Sequence, residues 1–185
     1  MTPQHVPAGA TPEGDGVATG TGPVTVDVFI DFLCPFCRQF ELSAGEAVAA
    51  MAASRQISLV YHPMNFLDAA STTQYSTRAA AASGCAADGG RFAAYAHALF
   101  VDQPPEGSAG LTDARLIEMG MAAGLAGAEF GECVRRGRYL DWPSYVTERA
   151  IAMGVSATPT VLVAGAAVPA NARMITAAVA ELAGR

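Results

Sequence analysis

Lysine is absent from this chain of 185 residues, and all 11 basic side chains are arginine. No ammonium side chain is available as a general base or Schiff-base former, which excludes lysine-dependent chemistry. With 17 acidic residues the formal charge at pH 7 is −6, so we expect no nucleic-acid partner, because nucleic-acid binding needs a basic face. The only basic cluster in the sequence, Arg135, Arg136 and Arg138, is interpreted as a solvated helix end.

Long apolar runs are also missing. No segment reaches the ~18 apolar residues expected of a membrane span, and residues 1–22 lack the basic and apolar regions of a secretory signal. These residues are rich in Gly, Pro and Thr and predict a disordered tether. A cytosolic protein or one whose export segment has been removed would both fit. The cysteines favour the second, which predicts an extracytoplasmic location, in the cell envelope or secreted.

Cysteine is scarce, at four residues, but two of them form a CPFC motif that begins at Cys34. The apolar run at 23–31 predicts a buried strand, and residues 35–53 predict a helix. Cys34 would then lie at a helix start, where unpaired backbone N–H groups and the helix dipole favour a thiolate. Cys37, one turn later, can attack a mixed disulfide formed at Cys34. The pair can therefore pass a disulfide to a partner or take one from it.

A zinc site and a pair of inert thiols are the alternatives to redox chemistry. A four-cysteine zinc site would need Cys85 and Cys133, which are single, widely spaced and without zinc-ribbon context. Redox chemistry is favoured because the motif follows a strand and opens a helix. No metal or other cofactor is expected.

The rest of the chain predicts an α/β protein in two halves. After the tether, residues 23–66 predict a β–α–β unit whose two strands, the second at 57–64, pair in parallel with a right-handed crossover. Residues 67–153 predict an inserted helical subdomain. Residues 154–185 predict a β-hairpin, with a tight Ala-Gly turn, and a closing helix.

Three landmarks together resemble the thioredoxin fold: the strand before the CxxC helix, a Thr-Pro pair just before a strand, and the final ββα unit. The helical insertion between the halves makes the chain similar to DsbA-like thiol–disulfide oxidoreductases, of an actinobacterial type with a CPFC site. The matching segments are FIDFLCPFCRQFE, HALFVDQ and GVSATPTVLVAG. The resemblance covers roughly residues 23–184.

The resemblance implies roles for the motif residues. Cys34 would be the exposed nucleophile and Cys37 the buried resolving thiol. Substrate contacts would come from Pro35, Phe36, Thr158 and Pro159. Pro159 would follow a cis peptide bond, and the backbone of Thr158 would pair with the substrate peptide.

Two departures from the family pattern affect the chemistry. Phe36 stands where strongly oxidising DsbA proteins have histidine, and it offers neither charge nor donor to a thiolate. Backbone N–H groups should then supply most of the stabilisation of Cys34, with a less depressed pKa. Members of the family often have a buried proton-transfer acid six residues before the first cysteine. Val28 holds that position here, and either Asp27 or Asp31 could substitute.

Cys85 and Cys133 both fall in the helical insertion. They are either two separate buried thiols, since free cysteine packs as a small hydrophobe, or a structural disulfide between two helices. An even cysteine count and an oxidising compartment favour the disulfide. Closing a loop of this length would add roughly 4 kcal/mol in the chain-entropy model.

The expected function is disulfide formation in exported proteins. Expected partners are unfolded exported proteins with thiols and a membrane redox partner, either vitamin K epoxide reductase-like or quinone-linked, and the expected state is a monomer. One alternative is a disulfide reductase or cytochrome-maturation thioredoxin, because the sequence does not fix the redox potential. Another is a non-redox thioredoxin-fold binding module.

Overall fold

A five-stranded sheet forms the centre of the computed structural model, which describes residues 2–184. The strands are β1 Val17–Ala18, β2 Val24–Ile30, β3 Ile57–Pro63, β4 Thr160–Val163 and β5 Ala166–Val168. Their order across the sheet is β1-β3-β2-β4-β5. β2 and β3 pair in parallel, while the other three pairings are antiparallel. β2 is therefore a central strand, which explains its almost uninterrupted apolar sequence.

Eight α-helices accompany this sheet within the described residues. They are α1 Pro35–Phe40, α2 Glu46–Ala53, α3 Tyr75–Asp88, α4 Phe92–Val101, α5 Asp113–Ala122, α6 Gly127–Arg135, α7 Trp142–Ala152 and α8 Ala172–Ala183. A π-helical turn, Glu41–Gly45, joins α1 to α2. Helices α3–α7 lie between β3 and β4 in the chain, so the predicted thioredoxin fold with a helical insertion is confirmed. Over residues 2–184 no helix has the length and apolarity needed to cross a membrane.

The prediction of a disordered tether at the N-terminus is wrong for residues 2–22, Met1 lying outside the described part. β1 adds an antiparallel strand to β3, and the Trp142 indole N–H donates to the carbonyl of Gly14 at 2.8 Å. A Cβ on Gly16 would come within 2.7–2.9 Å of the Val60 and His62 side chains. Glycine is needed there for close approach of the backbone to the sheet, so the composition that suggested disorder reflects packing instead.

A disulfide joins Cys85 on α3 to Cys133 on α6, with the two Cα atoms 5.9 Å apart. This is the pairing that the sequence left open against two separate thiols. Within residues 2–184 it is the one disulfide, and it links two helices of the insertion. It ties two helices that are 48 residues apart in sequence.

Candidate active site

The CPFC motif lies at the end of the central strand. β2 ends at Ile30, and Cys34 is the N-cap of α1, with Pro35 in the first helical turn, where proline costs no hydrogen bond. Cys34 is 4% exposed and Cys37 is fully buried, and both are free thiols. This fold therefore gives one cysteine limited access to solvent and buries the other.

The pKa of the Cys34 thiol is lowered from 9.0 to about 6. The largest cause is a hydrogen bond from the Cys37 side chain, and further contributions come from Thr158 and the backbone N–H groups of Cys37 and Phe36. Burial opposes the shift. The expectation that backbone groups dominate is therefore wrong, because the side chain of Cys37 contributes more to the lowered pKa than the backbone N–H groups do. At pH 7 the free Cys34 is mainly thiolate.

The Cys37 thiol has the opposite environment. Burial raises its pKa well above 9.0, and the hydrogen bond to Cys34 and the negative charge there raise it further. The backbone N–H of Asp31 lies 3.5 Å from Cys37 Sγ and partly offsets this. Cys34 is thus the better nucleophile and leaving group, and Cys37 is a thiol at neutral pH.

The loop before β4 supplies the facing wall of the site. The peptide bond between Thr158 and Pro159 is cis, and Cys34 Sγ lies 3.3 Å from the Thr158 carbonyl oxygen. Antiparallel pairing of β4 with β2 places this loop beside the CPFC motif. The side chain of Phe36 is 68% exposed at the same place. The predicted site residues of both halves therefore come together around one sulfur atom.

Asp31 is the acid whose ionisation is affected by the charge of Cys34. Its side chain is fully buried, and burial raises its pKa to about 6, with a further increase from the nearby Cys34 charge. Its carboxylate accepts hydrogen bonds from the Ser76 hydroxyl at 2.7 Å and the Leu67 backbone N–H at 2.9 Å. Asp27 instead pairs with His62, at 3.1 Å. The sequence left these two aspartates undecided.

Gln103 was missed as a site residue. Its side-chain amide donates to the carbonyl oxygens of Phe32 and Cys34, both at 3.0 Å. Gln103 follows α4 and closes the HALFVDQ segment that carries part of the resemblance, so the segment was identified but its glutamine was given no role. The helical insertion therefore holds the CPFC loop at two points, one through Gln103 and the other through the bonds from Ser76 and Leu67 to Asp31.

Metal coordination has no supporting geometry in residues 2–184. No group of three or more His, Cys, Asp or Glu side chains in that part of the chain could hold a metal ion.

Comparison with protein families matches residues 18–179 to a family described as thioredoxin. Among solved structures the chain is similar to the reduced disulfide bond oxidoreductase DsbG from Mycobacterium tuberculosis, with 33% identity and a TM-score of 0.82, covering 94% of this chain and 89% of that one. It is also similar to reduced DsbA from M. tuberculosis, with 32% identity and a TM-score of 0.79, covering 92% and 93% of the two chains.

More distant structures share the fold. MdbA from Actinomyces oris, a thiol-disulfide oxidoreductase, has 20% identity and a TM-score of 0.75, covering 96% of this chain and 88% of that one. Among curated proteins, the chain is similar to the serine/threonine-protein kinase PknE of M. tuberculosis, with 36% identity over 132 residues. This match covers 66% of the present chain. The match spans only 23% of the length of that relative.

Proposed function

This chain belongs to the thioredoxin family, in its DsbA-like branch of thiol–disulfide oxidoreductases, and from that premise we propose that it forms disulfides in exported proteins. The observation that carries the direction is the asymmetry of the thiol pair. Cys34 has its pKa lowered to about 6, whereas the pKa of Cys37 is raised. A thiolate that is stabilised in the reduced form makes the disulfide form a stronger oxidant.

The oxidation proceeds in two exchanges. A substrate thiolate attacks Cys34 Sγ of the Cys34–Cys37 disulfide, the substrate–Cys34 disulfide forms, and Cys37 leaves as a thiolate and takes up a proton. A second substrate thiolate then attacks the substrate sulfur of the mixed disulfide. The substrate disulfide forms and Cys34 leaves as a thiolate, so two electrons pass from substrate to enzyme.

Two groups at the end of β2 assist these exchanges. The backbone N–H of Asp31, 3.5 Å from Cys37 Sγ, stabilises the sulfur as it leaves. The carboxyl of Asp31 and the thiol of Cys34 each disfavour ionisation of the other, and both titrate near pH 6. A protonated Asp31 therefore favours departure of Cys34 as thiolate. In this proposal Asp31 acts through its charge on Cys34, from a position three residues after the one that the family's proton-transfer acid holds.

The substrate class is unfolded protein, bound through backbone and apolar contacts. The Thr158 carbonyl, beside Cys34, is a backbone acceptor for an extended peptide, and Phe36 presents an exposed aromatic ring next to the reacting sulfur. Replacing Phe36 by alanine should raise the KM for a reduced unfolded protein about tenfold, with little change in stability because the ring is exposed. Ile151→Ala on α7, a similarly exposed apolar residue, is the matched control and should leave KM unchanged.

An extracytoplasmic compartment is proposed for this chemistry. Stable disulfides such as Cys85–Cys133 persist in oxidising environments. The reduced enzyme must pass its electrons on, and a membrane protein that is quinone-linked or vitamin K epoxide reductase-like is the proposed acceptor. We propose that the chain acts as a monomer.

The equilibrium redox potential of Cys34 and Cys37 tests the direction. The protein is equilibrated in glutathione buffers, its thiols are trapped, and the fraction oxidised is read by mass. A potential above about −200 mV is expected for a disulfide donor. A more negative potential, with rapid insulin reduction and no oxidation of reduced ribonuclease, would instead show a reductase. Absence of both activities would show a binding module.

A further inference from the structure

The helical insertion contains a cavity beside the Cys85–Cys133 disulfide. The chemistry of Cys34 and Cys37 does not use this cavity. Its volume is about 260 Å³, slightly below the roughly 300–1,000 Å³ of pockets for drug-sized ligands. One wall is α3, and the other is the end of α6 with the turn that follows it. Cys34, Cys37, Thr158 and Pro159 are not among its lining residues.

Arginine dominates the charge of this cavity. Its four arginines are Arg78, Arg135, Arg136 and Arg138, and its one acidic lining residue is Asp113. The lining therefore carries a net charge of about +3 in a protein whose total is −6. Concentrated positive charge inside a concave surface raises the local concentration of anions.

Two of the four guanidinium groups are already paired. Arg78 bonds Asp113 at 2.8 Å, and Arg136 bonds Glu132, which lies one turn earlier on α6. Arg135 and Arg138 form no ion pair with any carboxylate in residues 2–184, and both side chains are exposed. Two arginines thus remain available to a ligand that enters from solvent.

A solvated helix end explains only part of this arrangement. Cations in the last turn of a helix are favoured by the helix dipole, which accounts for Arg135. Arg138 lies beyond the helix, with its guanidinium over the Tyr139 ring at 5.6 Å. Arg78 belongs to a different helix, α3. The basic cluster of the sequence is therefore extended by a residue that only tertiary structure brings to it.

The disulfide holds the two walls together. Cys85 on α3 and Cys133 on α6 both line the cavity, and their bond fixes the wall of Arg78 against the wall of Arg135. Guanidinium groups bind phosphate through paired, charge-assisted hydrogen bonds, whose strength depends on a fixed arrangement of the donors. The disulfide supplies that fixed arrangement.

We propose that this cavity is a binding site for a phosphate group carrying at least two negative charges. Arg135 and Arg138 are its main ligands, and Arg78 and Arg136 add positive charge from their paired positions. A monocarboxylate would offset only one of the three net charges, whereas a diphosphate offsets them more fully. A free phosphate compound and the phosphate monoester headgroup of phosphatidic acid are the two sources of such a group.

Inorganic pyrophosphate is the probe for the free compound. The oxidised full chain, labelled with ¹⁵N, is titrated at low ionic strength and followed by amide shifts. Saturable shifts centred on Tyr139 and Thr77 are expected, and they should weaken as salt is added. Arg138→Gln and Arg135→Gln should each weaken binding about tenfold, the loss expected for one charge-assisted contact. Absence of saturable shifts at these residues, together with absence of binding to the vesicles described below, would overturn the site.

The control for charge is Arg173→Gln on α8, which removes the same charge from an exposed site outside the cavity. Its affinity should equal that of the unaltered chain. An equal loss in Arg173→Gln and Arg138→Gln would mean that net charge alone attracts the anion, which contradicts the proposal. Phosphatidic acid vesicles, compared with phosphatidylcholine vesicles, test the lipid source. Vesicle binding that depends on Arg135 and Arg138 supports the site with a lipid ligand. If vesicles do not bind but pyrophosphate does, the site is supported with a free phosphate compound as its ligand, whereas failure of both probes, or binding that ignores both residues, contradicts it.

The disulfide provides a second, independent test. Cys85→Ser with Cys133→Ser should lose pyrophosphate affinity about tenfold or more if the walls separate, while the exchange activity of Cys34 marks the fraction still folded. Retention of full affinity in this folded double variant would show that the disulfide does not set the site, and would contradict the proposed arrangement.

Discussion

Cys34 and Cys37 lie within one turn of a single helix, whereas Cys85 and Cys133 lie on two helices, 48 residues apart in sequence. The first pair is reduced in the structure, and the two sulfurs have opposed pKa shifts. The second pair is bonded and lies away from the CPFC loop. All four cysteines are at least partly buried.

Burial therefore does not distinguish a reactive pair from a structural one. What distinguishes Cys34 is a helix N-terminus, a neighbouring thiol that donates to it, and a hydrogen bond from the Thr158 side chain, which together lower its pKa. Cys85 and Cys133 instead connect α3 to α6, and their contribution is to stability. Reactivity depends on how each sulfur is surrounded, and stabilisation depends on how much chain the bond encloses.

The largest expected effect is on catalysis by the first pair. Cys34→Ser should reduce oxidation of a reduced unfolded protein to the uncatalysed rate, because the attacked sulfur is gone. Cys37→Ser, given a substrate disulfide, should instead accumulate a mixed disulfide at Cys34, seen by mass under non-reducing conditions. Accumulation in the Cys34→Ser variant, with Cys37 as the attacking sulfur, would reverse the assignment.

The second pair should show its effect in stability. Replacing both Cys85 and Cys133 by serine should lower the free energy of unfolding by about 4 kcal/mol, the chain-entropy value for a loop of this size. Denaturant unfolding measures the loss, and the redox potential of Cys34 and Cys37 should not change. A changed potential with unchanged stability would mean that the two pairs are coupled, against the comparison drawn above.

The pH dependence of stability should separate the redox forms of the first pair. In the reduced form the pKa of Cys34 is about 6, compared with 9.0 ordinarily, so the folded state binds fewer protons than the unfolded state between these values. Stability of the reduced form therefore rises with pH across that window and is lost as pH falls through about 6. The disulfide form has no titrating Cys34 and lacks this rise.

Asp31 affects the pH dependence of stability in a lower pH window and with the opposite sign. Burial raises its pKa from 3.8 to about 6, so the folded state holds more protons there and loses stability as pH rises from about 4 to 6. Thermal unfolding of both redox forms from pH 4 to 9 measures these slopes. Cys34→Ser is the control, and a reduced-form rise that persists in this variant would assign it to another group.

The smallest expected effect belongs to Gln103, which positions the first pair from the insertion. Gln103→Ala removes two hydrogen bonds to the CPFC loop and should cost about 1–2 kcal/mol of stability. Because the loop carries Cys34, the pKa of the Cys34 thiol should also shift. Gln56→Ala, which removes an exposed amide bond to Ser54, is the matched control. A stability loss with an unmoved Cys34 titration would make Gln103 merely structural.

Local signals in the sequence determined much of the fold. The run before Cys34 is apolar at nearly every residue because β2 is covered on both faces, and Pro35 fits only the first turn of the helix. The closing hairpin was predicted from its Ala-Gly turn, and Gly165 there has a φ of +82°. The same kind of reasoning failed at residues 2–22, where glycine permits packing against His62 and its neighbours.

The CxxC helix, the order of the elements and the class of chemistry could be predicted from the sequence, because these follow from residues that are neighbours in the chain. Tertiary structure alone decided which aspartate approaches the thiols, which glutamine holds their loop, and which arginine joins the basic cluster. Asp31 bonds Ser76 across 45 residues and Gln103 bonds Cys34 across 69. Arg78 joins the basic cluster from another helix, α3. Such contacts depend on how helices pack, and no local pattern records that packing.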